Sequence, residues 1–343
     1  MSESRKHILA ADAEPPLFAG IDLGGTNIKV GLVDNQGRSL AYVTTPSKIE
    51  EGPEAGAERM GNAVRAAADQ AGVELHQIAR VGLATPGTMD IANGMLLDPV
   101  NLPGWHNFPI RDRVAHYTER PVTYANDAAA AAFGEYWIGS GKQYDSMILL
   151  TLGTGIGGGI IIGDKSIDGE TSHGAECGHI IIDCSDDARE CSCRQPGHLE
   201  AYASATAVVA RTKEALAAGR TSRVADRAAA GEEITTLMLA EEAEAGDEFA
   251  MEIIMETARY LGIGIVTLLH TIDPGAVLLG GAMTFGRHDN EVGRQFLARV
   301  QQEVGQRAFP VVVEHVTINY AALGGDAGYI GAAGIARVAH LQN

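Results

Sequence analysis

The chain has 343 residues and a formal charge of −18, from 26 Lys and Arg against 44 Asp and Glu. A field of that sign repels nucleic-acid phosphates and anionic lipid surfaces, so neither nucleic acid nor membrane is an expected partner. Hydrophobic residues at 45% and charged residues at 20% exclude wholesale disorder and leave an ordinary globular chain, long enough for about two domains.

Residues 1–17 carry Glu3, Arg5, Lys6, Asp12 and Glu14, lack the apolar stretch of a secretory signal, and read as a flexible leader. Strands are expected at 18–23 and 28–34, joined by the tight turn Gly24-Gly25-Thr26-Asn27, and at 38–45, which together make an antiparallel meander. An Ala-rich helix at 53–71, an apolar strand at 78–84, a long loop through Trp105, a further helix, a strand at 121–124 and a helix at 128–137 follow. From Ser146 a similar order recurs. A strand at 147–152, a Gly-rich turn, strands at 159–163 and 179–183, and helices across 201–271 lead to strands at 276–279 and 311–319, with a helix near 290–306 between them. Residues 219–246 read as solvated helices and loops, and a last helix at 326–340 is expected to pack back on the first half. Two halves that each begin with a glycine-turned hairpin point to a duplicated α/β unit with a cleft between the copies. The division expected is a small α/β lobe from 18–125 plus 325–343 and a larger α/β lobe from 126–324. The longest uncharged run, 146–163, holds six Gly and reads as strand, turn, strand, so no membrane-spanning helix is expected.

The first glycine turn suits a polyphosphate. Gly24 and Gly25 let backbone N–H groups approach a ligand, Asp22 can hold a hydrated Mg²⁺, and Thr26 and Lys29 can reach terminal phosphate oxygens. A plain hairpin would explain the same glycines. The second turn, from Leu152 to Gly159, matches the dinucleotide spacing with Gly153, Gly155 and Gly158, yet it runs into Ile160-Ile161-Ile162, a strand, where that fingerprint must open a helix. No Gly-Lys-Ser or Gly-Lys-Thr is present, so there is no P-loop. Two phosphate-compatible hairpins remain, and Gly280-Gly281 can let an adenosine lie against the backbone; together they favour a nucleotide.

Asp127 falls between a strand and a helix, where the helix dipole keeps a carboxylate ionised and fit to accept a hydroxyl proton; an ordinary helix cap is the other reading. Asn101, Glu176, His179 and Glu200 lie on loops and suit sugar hydroxyls, although each alone also reads as a turn cap or a solvated charge. Cys191, Cys193 and His198, with His179 upstream, offer two thiolates and two imidazoles for a tetrahedral structural Zn²⁺, which would fix the loop presenting Glu176 and Glu200. The alternative is a pair of free thiols beside unrelated histidines. Cys177 and Cys184 lie off this pattern and read as buried or inert. Four Cys without an export signal indicate a reducing cytoplasm.

These residues resemble the ROK group (repressor, open reading frame, kinase) of actin-like sugar kinases, nearest to bacterial glucokinases, over nearly the whole chain from Phe18. The resemblance is carried by Asp22-Leu23-Gly24-Gly25-Thr26-Asn27, Ala125-Asn126-Asp127, the 152–159 turn, Glu176-Cys177-Gly178-His179, and Cys191-Ser192-Cys193 through Glu200. It implies an actin-like ATPase (ribonuclease H-like) fold, ATP and Mg²⁺, and transfer of the γ-phosphoryl group to the 6-hydroxyl of a hexose, glucose foremost, with Asp127 as general base. It further implies that Asn101, Asn126, Asp127, Glu176, His179 and Glu200 hold the sugar, that Gly24-Gly25 and Thr154-Gly155 are the phosphate segments with Asp22, Thr26, Lys29 and Gly281 beside the nucleotide, and that the lobes close around sugar. Zinc is implied on His179, Cys191, Cys193 and His198. Here the chain departs from the family: His198 stands where a third Cys is usual, and Arg194 where Gly is common. The resemblance leaves mannose, fructose or N-acetylmannosamine as alternative acceptors, polyphosphate as an alternative donor, and a sugar-sensing regulator as an alternative function, though about seventeen residues before Phe18 are too few for a helix-turn-helix. A homodimer is the expected assembly.

Overall fold

A computed structural model describes residues 7–99 and 101–342. Residues 1–6 of the expected leader lie outside the described residues. Packing divides the chain into two compact units, one from residues 7–144, 159–175 and 322–342, the other from 145–158 and 176–321.

The first unit begins with the expected meander, β1 (Leu17–Leu23), β2 (Asn27–Val33) and β3 (Ser39–Pro46), followed by α1 (Pro53–Ala71), β4 (Ile78–Thr85), the small hairpin β5 (Thr88–Asp90) and β6 (Met95–Asp98), α2 (Ile110–Thr118), β7 (Val122–Asn126) and α3 (Asp127–Trp137). Its main sheet runs β3-β2-β1-β4-β7, antiparallel across the meander and parallel from β1 through β4 to β7. Period-2 alternation gives that sheet two buried faces. Leu17, Ala19, Ile21 and Leu23 pack with Met60 and Val64 of α1 and Val114 of α2, while Phe18 and Val33 meet Tyr329, Ile330 and Ala333 on the other side.

A second sheet has the strand order β10-β9-β8-β11-β12, with β8 (Ser146–Leu152), β9 (Ile156–Ile162), β10 (Lys165–Ser166), β11 (Ala276–Gly281) and β12 (Thr317–Tyr320). This repeats the first sheet's order, so the duplication read from the glycine-turned hairpins holds at the level of topology. Helices α4 (Glu200–Ala203), α5 (Ala205–Ala217), α6 (Arg223–Ala229), α7 (Thr236–Glu244), α8 (Glu248–Ile272), α9 (Glu291–Arg307) and α10 (Pro310–His315) complete the second unit, and α11 (Ala327–Leu341) returns to the first unit. Among the described residues α8 alone is long and apolar enough to cross a membrane; it is a core helix here, packed on α4, α5, α7 and α9.

Four expectations are corrected. The boundary expected at 125/126 lies at 144/145, because α3 packs along α11; Gly331 allows this, since a Cβ there would overlap the Ala130 carbonyl. The strand expected at 179–183 is absent: its backbone pairs instead with the segment before α4, Ile182 N–H donating to Gly197 O at 2.9 Å and Leu199 N–H to Ile180 O at 2.9 Å. The strand expected over 311–319 is the helix α10 followed by the shorter β12; Pro310 supplies the fixed φ and missing donor that favour a first helical turn, and this overrides the β-branched run Val311-Val312-Val313.

The leader is the fourth. From Ile8 onward it is tied down: Ile8 N–H donates to Ser39 O at 2.9 Å, Asn35 N–H to Glu14 O at 2.8 Å, and Glu14 N–H to Asp34 Oδ2 at 3.1 Å. Asp34 is fully buried, and its carboxylate also accepts from Gln36 N–H, Arg38 N–H and the Arg38 guanidinium, the last at 2.6 Å. Burial alone would raise its pKa, but the Glu14 N–H, the Arg38 side chain and the two turn amides outweigh it and the pKa is lowered. A depressed pKa means stability that is complete above the ordinary carboxylate value of about 4 and lost as pH falls through the lower folded value. Asp34→Ala is therefore expected to cost about 2 kcal/mol at neutral pH. The gap in Tm between wild type and variant should close in acid; a gap of equal size in neutral and strongly acidic buffer would contradict the assignment.

Candidate active site

In the first unit the parallel strands bring several expected site residues to one carboxyl edge, where α/β sheets bind ligands. Asp22 pairs with Ala84 and Thr85 with Asn126 in adjacent strands. Asp22 also faces Lys29 in register across the hairpin, with Lys29 Nζ 3.5 Å from Asp22 Oδ2 and 3.1 Å from the Gly325 carbonyl. Burial raises the Asp22 pKa and Lys29 pulls it some of the way back. The start of α11 lies directly on this carboxylate, since a Cβ at Gly328 would stand 2.7 Å from Asp22 Oδ2.

The Gly24-Gly25-Thr26 turn is fixed from beneath. Gly24 N–H closes it on Asn27 O at 2.9 Å, Ser47 N–H donates to Thr26 O at 2.8 Å, and the buried Ser47 hydroxyl to Gly24 O at 2.6 Å. Gly25 and Thr26 are exposed, and neither glycine is left-handed. A Cβ at Gly25 would meet the Asn101 carbonyl at an ordinary 3.5 Å, so no protein atom demands glycine there. The exposed Asn101 thus sits with its backbone beside the turn, on a loop anchored by buried Trp105, whose indole N–H donates to Ile49 O at 3.1 Å. Sequence reasoning missed Ser47; the signal was available in the meander, which sets Pro46 opposite Asn27.

Asn126, not Asp127, caps α3. Its Oδ1 accepts from Ala128 N–H at 2.9 Å and Ala129 N–H at 3.2 Å. Asp127 is the first helical residue, and its Oδ1 accepts from Ala128 N–H at 2.8 Å. Beneath them the buried Tyr124 and Thr85 hydroxyls bond to each other at 2.8 Å, and burial pushes the Tyr124 phenol well above its ordinary value.

The second unit holds the other expected residues. Thr154 is exposed at the tip of the β8–β9 turn, whose carbonyls are held by α5: Ala205 N–H reaches Gly153 O at 2.9 Å and the Thr206 hydroxyl reaches Thr154 O at 2.8 Å. Gly281 ends β11 opposite Leu152 with φ +88°, and a Cβ there would overlap Leu152, so its neighbour in the sheet already requires glycine. Glu200, at the start of α4, is drawn to the turn: Oε2 accepts Ile156 N–H at 2.9 Å. Glu176 is exposed, 3.9 Å from His179 Nε2. Cys177 is buried, which pushes its thiol up to about 12, and Cys184 is exposed.

The four expected metal ligands converge. His179 Nδ1 and His198 Nδ1 are 3.2 Å apart, Cys193 Sγ is 3.2 Å from His198 Nδ1, Cys191 Sγ is 3.8 Å from His179 Nδ1, and all four ligand atoms lie within 4.8 Å of one another. Tetrahedral zinc, with Zn–S about 2.3 Å and Zn–N about 2.0 Å, sets ligand-to-ligand edges of roughly 3.3–3.8 Å, so the donor set fits. Burial pushes the Cys191 thiol up to about 11, and burial together with His179 lowers the His198 pKa. Arg194 adopts φ +68°, the left-handed backbone that glycine takes without strain, and its N–H donates to Cys191 O at 2.8 Å. Arg194→Gly is expected to raise stability by about 1 kcal/mol, read as a higher Tm at unchanged metal content.

A family model described as the ROK family matches residues 18–339. The chain belongs to the ROK family. The repeated strand order is the actin-like ATPase fold expected of that family. The glucokinase of Thermotoga maritima is 33% identical over 92% of this chain and 96% of its own length. A crystal structure of a ROK family glucokinase from Streptomyces griseus in complex with glucose and AMPPNP is 33% identical, with a TM-score of 0.74 over 94% of this chain and 99% of that one. The xylose repressor of Caldicellulosiruptor bescii is 30% identical over 89% of this ROK chain and 74% of its own length.

Proposed function

We propose that this ROK protein is an ATP-dependent hexose kinase that phosphorylates the 6-hydroxyl of glucose. The observation that carries the reading is the placement at α3: Asn126 caps the helix, and the Asp127 carboxylate stands in its first turn, beside the strand ends carrying Asp22. The room for a Cβ at Gly25 and at Gly153 supports the nucleotide assignment, because no protein atom requires glycine at either position and close approach by a ligand supplies the reason. The likeness to glucokinases, one of them holding glucose and AMPPNP, supports the choice of substrates.

In this mechanism Asn101, Asn126, Glu176, His179 and Glu200 orient the sugar. The Asp127 carboxylate accepts the proton of the 6-hydroxyl as its oxygen bonds to the γ-phosphorus and the bond from that phosphorus to the ADP oxygen breaks. Gly24, Gly25, Thr26, Lys29, Thr154 and Gly155 hold phosphate oxygens, and Gly281 borders the nucleoside. Asp22 would hold Mg²⁺, which supplies charge neutralisation on the transferred group. His179, Cys191, Cys193 and His198 would hold a structural Zn²⁺. The reading places the enzyme in the cytoplasm as a homodimer.

The test is ADP release from MgATP with glucose, mannose, fructose, N-acetylmannosamine and no sugar, with polyphosphate as a second donor. Turnover with glucose above the others is expected; silence on every sugar, combined with tight sugar binding and sugar-dependent DNA binding, would establish instead the regulator that the repressor relative favours. Metal analysis is expected to give about one zinc per chain, as four ligands without an open position require. Cys193→Ser should lose that zinc and lower Tm, and a metal-free wild type of equal Tm would refute the site.

A further inference from the structure

We propose that Ser192 is a positioning residue that sets the second glycine turn through Glu200. This rests on the reading of that turn as a phosphate segment. Ser192 stands between the two thiols of the metal cluster, and its hydroxyl donates to Glu200 Oε1 at 2.6 Å, with the Cys191 thiol 3.4 Å from the same oxygen. The opposite oxygen, Oε2, accepts the N–H of Ile156, the residue immediately after Gly155, at 2.9 Å. The planar carboxylate is therefore held at both ends, by the cysteine loop on one side and the turn on the other. Bonds to an ionised acceptor are about twice as strong as neutral ones, so fixing one oxygen fixes where the other points.

Gly155 completes the fit. A Cβ at that position would overlap Glu200 Oε2, so glycine there leaves the carboxylate the place it occupies. The α5 contacts to Gly153 and Thr154 engage carbonyls, whereas Glu200 engages the first amide of β9. Ser192 is thus the joint that links the cysteine loop to the turn through Glu200. Without its hydroxyl Glu200 keeps its charge but loses the partner that orients it, and the amide at 156 is held only some of the time.

The test compares Ser192→Ala and Ser192→Thr with wild type, zinc content being measured on every sample. Ser192→Ala is expected to exchange the Ile156 amide hydrogen about fivefold to tenfold faster and to raise KM for MgATP by a similar factor, with kcat within about twofold, the scale of one lost charge-assisted hydrogen bond. Ser192→Thr, which retains the hydroxyl, should restore both. Unchanged exchange in Ser192→Ala, or faster exchange only in samples that have lost zinc, overturns the proposal. If wild type phosphorylates no sugar, the kinase reading fails separately, and the exchange measurement still decides whether Ser192 sets the turn.

Discussion

Asp127→Asn is expected to lower kcat on the order of a thousandfold while leaving sugar affinity within about twofold. The substitution keeps an oxygen that can accept the Ala128 N–H, now 2.8 Å from Asp127 Oδ1, and Asn126 continues to cap α3, so the helix start and the neighbouring strand ends stay in place. What is lost is basicity. An amide oxygen cannot take up the proton released by the 6-hydroxyl, and the loss falls on the transition state, where the proton moves, rather than on the bound sugar. Steady-state ADP release paired with a sugar titration separates the two, and a melting curve confirms the fold. Asn126→Ala gives the contrast: losing the cap costs about 1 kcal/mol of stability and lowers Tm. A variant at 127 with wild-type turnover would remove Asp127 from the chemistry.

The largest structural effect is expected at Gly331. Here α11 crosses α3 so closely that a Cβ would overlap the Ala130 carbonyl, and at Gly20 and Gly82 the same helix lies against sheet backbone at Tyr329 and Ala332. Backbone atoms on both sides cannot swing away as a side chain would, so Gly331→Val must force the helices apart and reopen the core around Ala84, Ala130 and Ala332. A loss on the order of 4 kcal/mol or more is expected, measured by urea denaturation. Gly305 of α9 is the control. It is exposed and nothing lies within 4 Å of its would-be Cβ, so Gly305→Ala should stabilise by about 0.5–1 kcal/mol through helix propensity. Equal effects at the two positions would show that close approach does not govern Gly331.

Local chemistry made much of this legible in the sequence. The Gly24-Gly25 turn, Pro53 at the start of α1 and the alternation of β1 each act within a few residues, and so does the spacing that gathers Cys191, Cys193 and His198. At 311–319 the cause was local, Pro310 opening a helix in a β-branched run; in the other misreadings the deciding partner was distant. Ile180-Ile181-Ile182 has the composition of a strand, yet its amides answer to Gly197. The leader looked loose because Asp34, which receives it, announces nothing locally. Glu135, fully buried in α3, accepts from Ala322 and Leu323 N–H groups 187 and 188 residues away, and no pattern around it distinguishes it from a solvated helix residue. At the candidate site the residue types were readable, but not that Asn126 would relieve Asp127 of capping or that Glu200 would turn toward Ile156.

The return of α11 to the first unit also sets an order of events on the ribosome. The sheet face that receives it, with Phe18, Val33 and the bare backbone at Gly20 and Gly82, is synthesised early, while Tyr329, Ile330 and Ala333 emerge some three hundred residues later. Throughout that interval the nascent first unit carries an uncovered apolar face, and the whole of the second unit is translated before the face can be closed. The unit begun first is therefore finished last.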